Sequence, residues 1–271
     1  VYKRQCPGFT GKGAAQNIRP RTIRHLMQED AHQIIIPLFQ RKYCWSAVQG
    51  KKWFPDLCEP VKRNGWNGCH NTGKAIFKRC KMDDGVRDAL ICVDGQQRLT
   101  TTSVLLMSLR EVALREQQSS FVKAVDELLF VDANNDGGDD EVNAGQANSR
   151  NWRLIPSRAD RGTYQRLLCG EDALAFGQVR HASSLQFPEN ENLMEMKKLM
   201  DRLLAECLET TCNDAPSRFS TLERIFRQAL DEMYIVVVEI LNTVDLSAVF
   251  LWLQEKSLLG MGSLLQNLAP G

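Results

Sequence analysis

The order of apolar and polar residues predicts a chain in which strands and helices are mixed. Apolar runs rich in β-branched residues predict strands at 33–36, 89–93, 151–156 and 234–241. Apolar residues at helical spacing predict amphipathic helices at 22–29, 99–118, 121–130, 160–168, 193–208 and 219–230. This pattern predicts an α+β fold in which helices pack against a sheet.

One junction between a strand and a helix is the candidate for chemistry. The strand at 89–93 ends at Asp94-Gly95, and a helix begins in the polar turn that follows. A helix N-terminus carries unpaired N–H groups and the positive end of the helix dipole, so it binds anions, usually phosphate. Two amides and a guanidinium stand beside it, from Gln96, Gln97 and Arg98. In the alternative interpretation, Asp94 only caps the helix and Arg98 pairs with a surface carboxylate.

A second polar segment follows the strand at 33–36. Pro37 ends that strand, and Gln40 and Arg41 come shortly after it. If this strand lies beside the strand at 89–93, Gln40 and Arg41 converge with Arg98 on a space the size of a phosphate. Two aromatic rings, those of Tyr43 and Trp45, would then stack on a base or cover the pocket. The alternative for both rings is packing in the core.

Two segments of the chain resemble motifs of a known family. Residues 94–101, Asp-Gly-Gln-Gln-Arg-Leu-Thr-Thr, resemble the DGQQR signature of the N-terminal, nucleotide-hydrolysing half of GmrSD-type modification-dependent restriction enzymes. Residues 36–45, Ile-Pro-Leu-Phe-Gln-Arg-Lys-Tyr-Cys-Trp, resemble the opening motif of the same family at about the expected distance before the signature. The family also has, later in the chain, a strand, an Asp and a Tyr-Leu-Leu-like sequence. The matching residues here are Leu154, Asp160, Tyr164 and Leu167.

The resemblance implies a fold like that shared by ParB and sulfiredoxin. Such a fold has a mixed sheet with a strand-turn-helix phosphate site, followed in this chain by a mainly helical region. The resemblance assigns catalytic roles to Asp94, Gln97 and Arg98. It assigns nucleotide binding to Gln40, Arg41, Tyr43, Trp45, Gly95, Gln96, Thr100 and Thr101.

Each implied role has a physical basis. Backbone N–H groups from Gln96 to Thr100 would hold the phosphates, and Arg98 and Arg41 would neutralise charge on the transferring phosphoryl group. Asp94 would hold Mg²⁺ through water or orient the attacking water, and the sequence leaves both roles open. Water would be aligned, or phosphate oxygens bound, by the amides of Gln40, Gln96 and Gln97.

The implied activity is Mg²⁺-dependent hydrolysis of a nucleoside triphosphate, coupled to DNA recognition or restriction. A separate HNH-type nuclease domain cuts DNA in the family, and no such motif surrounds the four histidines, His25, His32, His70 and His181. One alternative is a ParB-like DNA-binding switch in which nucleotide stabilises one conformation and hydrolysis is slow. The other is a scaffold domain that has lost its activity.

Two regions depart from the family pattern. Residues 70–77 stand where the family has a strand with a Phe-Leu-Gly-like step. In this region His70 and Lys74 are candidate contacts for phosphate or DNA, or else solvated loop residues. Residues 248–256 resemble an Ile-Phe-Glu-x-Leu-Asn-x-Arg-Gly segment, but Gln254 stands near the Asn position and the Gly is missing. The departures put site contacts from both regions in doubt.

Charge and cysteine content limit which partners and which cellular compartment the sequence predicts. With 34 basic and 33 acidic residues, the chain has no global field that attracts nucleic acid, so any DNA contact must be local. No C-x-x-C pair occurs among the nine cysteines, which predicts reduced thiols and an intracellular protein. A zinc site from Cys58, Cys69, His70 and Cys80 fits no common zinc spacing. No apolar run reaches the roughly 18 residues of a membrane span.

Composition also predicts how the chain is divided. We expect a flexible lead-in at 1–20, a nucleotide-binding core at 21–131, an acidic linker at 132–150, and a helical region at 151–271 with a returning strand at 234–241. The linker begins like a calcium loop, but Asn143 occupies the position of the required Glu. The glycines at 8–13 lack the spacing of a phosphate loop. The abrupt last residues predict a fragment of a longer protein.

Overall fold

The computed structural model describes residues 15–28, 30, 32–54, 70–82, 87–131, 151–169, 189–211, 215–243, 245–246 and 249. Eight strands lie in these ranges: β1 Ala15–Thr22, β2 Gln33–Ile35, β3 His70–Lys81, β4 Asp88–Asp94, β5 Phe130–Val131, β6 Asn151–Trp152, β7 Leu154–Ile155 and β8 Met233–Ile240. Seven α-helices accompany them: α1 Ile23–Gln28, α2 Ala47–Trp53, α3 Gln96–Arg115, α4 Ser119–Leu129, α5 Arg161–Cys169, α6 Glu191–Thr211 and α7 Ala215–Arg227. A π-helical turn, Gln228–Glu232, joins α7 to β8.

The larger sheet is mixed and has the strand order β1-β8-β3-β4-β2-β7. Strands β4, β2 and β7 run parallel to one another, whereas β3 is antiparallel to β4 and β1 is antiparallel to β8. This confirms the predicted α+β class with a mixed sheet. The likeness to ParB and sulfiredoxin stays a prediction.

The parallel strands determine where the candidate site lies. Ile34 pairs with Leu90 on one side and with Leu154 on the other, so β2 is the central strand of this parallel group. The carboxyl ends of parallel strands meet at one edge of a sheet. The segments that follow β4, β2 and β7 therefore start from the same edge, as predicted for the first two.

Helix α3 is the centre of the helical layer. Its side chains from Leu99 to Leu109 are all buried, and α4, α6, α5 and α7 pack around it. Even the polar first half is enclosed, because Thr101 and Ser103 have 0% exposure. Burial on every side is the mark of a central helix, in contrast to an amphipathic surface helix.

Buried charges close the opposite edge of the sheet. The Arg19 guanidinium lies 2.9 Å from both Asp30 and Glu239, and Arg79 lies 3.2 Å from Glu239. These pairs tie β1, β8 and β3 together beside the core. Carboxylates this deeply buried need compensating partners, which here are the two arginine cations, since an unpaired buried charge costs several kcal/mol.

Strand β1 differs from the predicted organisation. It begins at Ala15, within the residues 1–20 expected to form a lead-in, and it pairs with β8 as far as Thr22. Residues 15–20 therefore belong to the sheet. The sequence there is polar and contains Pro20, and only the long-range pairing with β8 makes it a strand.

The predicted strand at 151–156 is split between two sheets. Strand β6 pairs with β5, whereas β7 pairs with β2. Arg153 lies between them: its N–H donates to Leu129 O at 2.9 Å, and its carbonyl accepts from Ile34 N at 2.8 Å. The chain thus passes from the two-stranded sheet to the larger sheet at Arg153.

Several predictions fall outside the described residues. These are the lead-in at 1–14, the linker at 132–150, most of the segment 248–256, and the cysteines Cys58 and Cys69. Among the residues that the structure does describe, Cys44, Cys80, Cys92, Cys169 and Cys207 are not in disulfides. None of the described helices combines the length and apolar character of a membrane span.

The burial of α3 gives a stability prediction. Replacing Leu105, which has 0% exposure, with Ala is expected to lower the free energy of unfolding by about 3 kcal/mol, because apolar contacts are lost and the surroundings relax only partly around the cavity. The matched control is Leu114→Ala in the same helix, where the side chain is 49% exposed and a change within about 0.5 kcal/mol is expected. Urea denaturation of both variants measures the difference, and equal losses would contradict the central position of α3.

Candidate functional site

The turn between β4 and α3 has a conformation that only glycine adopts easily. Gly95 has φ of 102° and ψ of 0°. A Cβ at this position would lie 2.7 Å from the Cβ of Ala75, so the neighbouring strand leaves no room for one. The Asp94 carboxylate accepts a hydrogen bond from Gly95 N at 2.9 Å through Oδ1. Backbone conformation and packing therefore both require glycine here.

The backbone N–H groups at the N-terminus of α3 are only partly paired within the helix. Arg98 N and Leu99 N donate to Gly95 O at 3.1 and 3.3 Å. Within the described part of the chain, no side chain caps the N-terminus of this helix. The N–H groups of Gln96 and Gln97 therefore lie at the positive end of a 20-residue helix without an intrahelical acceptor.

Hydrogen bonds join the segment after β2 to this turn. The Gln40 side chain donates from Nε2 to Val93 O at 2.7 Å, and this bond is buried. The Gln97 side chain accepts from Cys44 N at 3.0 Å and from Trp45 N at 3.2 Å through the same Oε1. The segment 40–45 and the segment 93–97 therefore contact each other. The convergence of Gln40 and Arg41 with Arg98 stays a prediction.

An additional bond lies deeper in the same contact. Tyr43 is 2% exposed, and its hydroxyl lies 2.7 Å from Thr101 Oγ1. Thr101 in turn donates to Gln97 O at 2.8 Å, so the Tyr43 hydroxyl is the donor of the pair. Burial raises the pKa of Tyr43, which keeps the hydroxyl protonated for this bond. The Tyr43 ring thus takes the core position that the sequence left as an alternative.

Arg98 is held against the start of β3. Its Nη1 donates to Lys74 O at 2.7 Å. The guanidinium lies over Gly73, which has φ of 106°, and a Cβ there would be 3.2 Å from Nη2. Gly73 was not among the predicted site residues. Its signal was a glycine in a strand that departs from the family pattern, and such a glycine often marks a close approach.

The other predicted site residues fall into two groups. Arg41 is exposed, and among the described residues it makes no hydrogen bond or ion pair, while Trp45 is partly buried. By contrast, Gln40, Gln96, Gln97 and Thr100 have 9%, 8%, 7% and 3% exposure. The Nε2 of Gln97 is buried without a partner in the described structure. The structure describes His70 only as backbone, and Lys74 exposes its side chain.

A comparison with protein families matches residues 23–256 to the GmrSD restriction endonuclease, N-terminal domain. The chain belongs to this family. Membership gives the domain a role in a restriction system. A search among curated proteins finds no match.

The two charged side chains at the start of the signature, Asp94 and Arg98, both influence a buried thiol near the end of β4. Burial raises the pKa of the Cys92 thiol, the Asp94 carboxylate raises it further, and Arg98 opposes the shift. Both charged groups of the GmrSD-type signature therefore act on the same buried atom. The Asp94 carboxylate and the Arg98 guanidinium therefore both lie near enough to the Cys92 thiol for their charges to act on it.

The donor set can be compared with the needs of magnesium. Among the described residues, no three His, Cys, Asp or Glu side chains come together, so the described part offers no protein cage for a metal. Mg²⁺ commonly uses one or two carboxylates together with substrate phosphates and water. Asp94 keeps its Oδ2 free of any bond within the described residues. One carboxylate beside a helix N-terminus fits the way in which Mg²⁺ binds when it arrives with a triphosphate.

The turn gives a second prediction. Gly95→Ala is expected to lower the free energy of unfolding by about 2 kcal/mol or more, since the residue would keep a left-handed conformation and press on Ala75. Gly162→Ala is the control, because nothing lies within 4 Å of a Cβ at that position of α5. Chemical denaturation is the measurement. A neutral effect of Gly95→Ala would contradict the turn geometry.

Proposed function

We propose that this domain binds a nucleoside triphosphate at the turn between β4 and α3 and hydrolyses it with Mg²⁺. The observation that carries the proposal is the uncapped N-terminus of α3, flanked by Asp94 and Arg98. A helix N-terminus of this kind binds phosphate through its N–H groups and its dipole. Gly95 supports the site, because its conformation lets the helix begin directly at the end of the strand.

Arg98 supplies the positive charge nearest to the turn. The bond to Lys74 O fixes Nη1, which leaves Nη2 and Nε as donors for phosphate oxygens. Arg41 follows Gln40 at the same edge of the sheet and is not engaged by any described residue. Both guanidinium groups would stabilise the charge that grows on the phosphoryl oxygens during transfer.

Asp94 is the candidate for the metal and the water. Gly95 N fixes Oδ1, and Oδ2 is left to hold Mg²⁺ through a water molecule or to orient the attacking water. Bound Mg²⁺ would neutralise phosphate charge. The Gln96 amide would bind water or phosphate oxygens, and so would the part of the Gln40 amide that is not engaged with Val93 O.

The residues of the 40–45 segment take different roles in the proposal. Trp45 is partly exposed and is the ring that would cover the base. Tyr43, Thr101 and the Gln97 oxygen are used in holding the segment against α3. We assign them to the shape of the site, and Thr100 to the buried wall of the first helical turn.

The proposed hydrolysis would serve DNA restriction. The family is that of the N-terminal domain of a restriction endonuclease, and DNA is the target of such an enzyme. We propose that a separate HNH-type nuclease domain cuts the DNA and that nucleotide turnover in this domain controls it.

Phosphate release from each NTP with Mg²⁺, with and without DNA, is the test. Arg98→Ala is expected to reduce release about 100-fold or more, because it removes a donor that binds the developing charge. Asp94→Asn is expected to act in the same direction, and chelation of Mg²⁺ should stop release. The control is Arg115→Ala, at the far end of the same helix, where the side chain is 69% exposed.

Three outcomes separate the candidate activities. Release that disappears in both site variants but not in Arg115→Ala supports the proposed hydrolase. Nucleotide binding without release would replace it with a ParB-like switch. The absence of binding by any NTP would identify a scaffold domain and overturn the proposal.

A further inference from the structure

A buried carboxylate connects the second half of the chain to the segment 40–45. Asp160 follows β7 and is 3% exposed. Its Oδ2 accepts from Tyr43 N at 2.9 Å and from Ser157 Oγ at 2.7 Å, and its Oδ1 accepts from Asn190 Nδ2 at 2.5 Å. Among the described residues it has no cationic partner, so these donors alone stabilise the buried acceptor oxygens.

Asn190 completes the contact from the other side. Its Nδ2 also donates to Tyr43 O at 3.0 Å, so Asp160 and Asn190 together bind both backbone groups of Tyr43. The Oδ1 of Asn190 accepts from Leu193 N at 3.3 Å at the start of α6, and its own N–H donates to Thr163 Oγ1 at 2.9 Å. Because both Nδ2 and Oδ1 are hydrogen-bonded, the side-chain amide of Asn190 cannot flip by 180° without losing these bonds.

The segment depends on side chains for its backbone hydrogen bonds. Three consecutive N–H groups, those of Tyr43, Cys44 and Trp45, all donate to side-chain oxygens. Asp160 accepts the first, and Gln97 accepts the second and third. Since backbone N–H groups must be paired when buried, these two acceptors determine the path of the chain. Arg41 lies just before this path, and Trp45 lies at its end.

We propose that Asp160 and Asn190 are positioning residues of the nucleotide site. This inference rests on the proposed function. They touch no substrate in the proposal; they hold the backbone of Tyr43, and through it they place Arg41 and Trp45 relative to the turn at Gly95. The site is then built from both halves of the chain, because α5 and α6 are attached to the same network.

Asp160→Asn is the sharpest variant. An asparagine has one acceptor oxygen in place of two, and its NH₂ would face either Tyr43 N–H or the Asn190 NH₂, both of which are donors. The variant keeps the shape and loses one acceptor. Asn190→Asp is the reciprocal change, since it would place a carboxylate oxygen against Tyr43 O and Asp160.

The matched control is Asp30→Asn. Asp30 is a buried carboxylate at the opposite edge of the same sheet, 8% exposed and 2.9 Å from Arg19. We expect its loss to destabilise the fold, because Arg19 loses a partner, and none of its hydrogen bonds or ion pairs within the described residues involves the segment 40–45. The nucleotide affinities of the two Asp→Asn variants are compared at temperatures equally far below their unfolding midpoints. This comparison separates a positioning effect from a general loss of structure.

The full chain and each variant are titrated with a non-hydrolysable ATP analogue and with the other NTPs, and amide hydrogen exchange is measured without nucleotide. We expect Asp160→Asn to weaken binding about tenfold or more and to speed exchange at residues 43–45. Asp30→Asn should leave affinity within about twofold of the unmodified chain.

The results separate this inference from the proposed function. If the unmodified chain binds nucleotide and Asp160→Asn binds it equally well, the positioning role is wrong and the proposed site stands. If both Asp→Asn variants lose affinity in proportion to stability, the role is again overturned. If the unmodified chain binds no nucleotide at all, the proposed function itself fails.

Discussion

The contact of Gln97 with the backbone at Cys44 and Trp45 is the interaction on which the candidate site depends. One amide oxygen receives two N–H groups from a segment that begins more than fifty residues earlier in the chain. Gln40 makes the reciprocal bond, from that segment to the end of β4. Each motif therefore supplies the hydrogen bonds that the other lacks. The observed path of each segment therefore depends on the other.

Helix α3 supplies the rigidity that this contact needs. Its polar first turns lie in the core, where a hydroxyl without a partner costs free energy. Thr101 and Thr102 donate back to the carbonyls of Gln97 and Arg98, at 2.8 and 2.9 Å. The hydroxyls of these two threonines are thus paired within the helix and do not cap it. Among the described residues, the N–H groups of Gln96 and Gln97 have no acceptor within the helix. A long helix whose first N–H groups have no acceptor within the helix has the positive end of its dipole at that end.

Sequence alone predicted the elements whose pattern is local. Strands β2, β4 and β8 and the long helices have the apolar spacing of their class, and Asp94-Gly95 has the composition of a turn. The strand pairing of β1 could not be predicted, because its residues are polar and gain their bonds only from β8. The same holds for Asn190, which acts through residues 147 and 30 positions away in sequence. Contacts of this kind depend on how the sheet is assembled, and no local pattern encodes them.

The position of β8 has a consequence for how the molecule is made. This strand is near the end of the described chain, yet it lies between β1 and β3 and pairs with both. During synthesis β1 leaves the ribosome first and must wait for more than two hundred residues before its partner exists. Sheets whose paired strands are this far apart in sequence form slowly, because the chain loses the entropy of closing the loop before any hydrogen bond between the strands can form. The sheet is therefore completed only once nearly the whole family domain has been translated, and its last strand acts as the closing piece of the assembly.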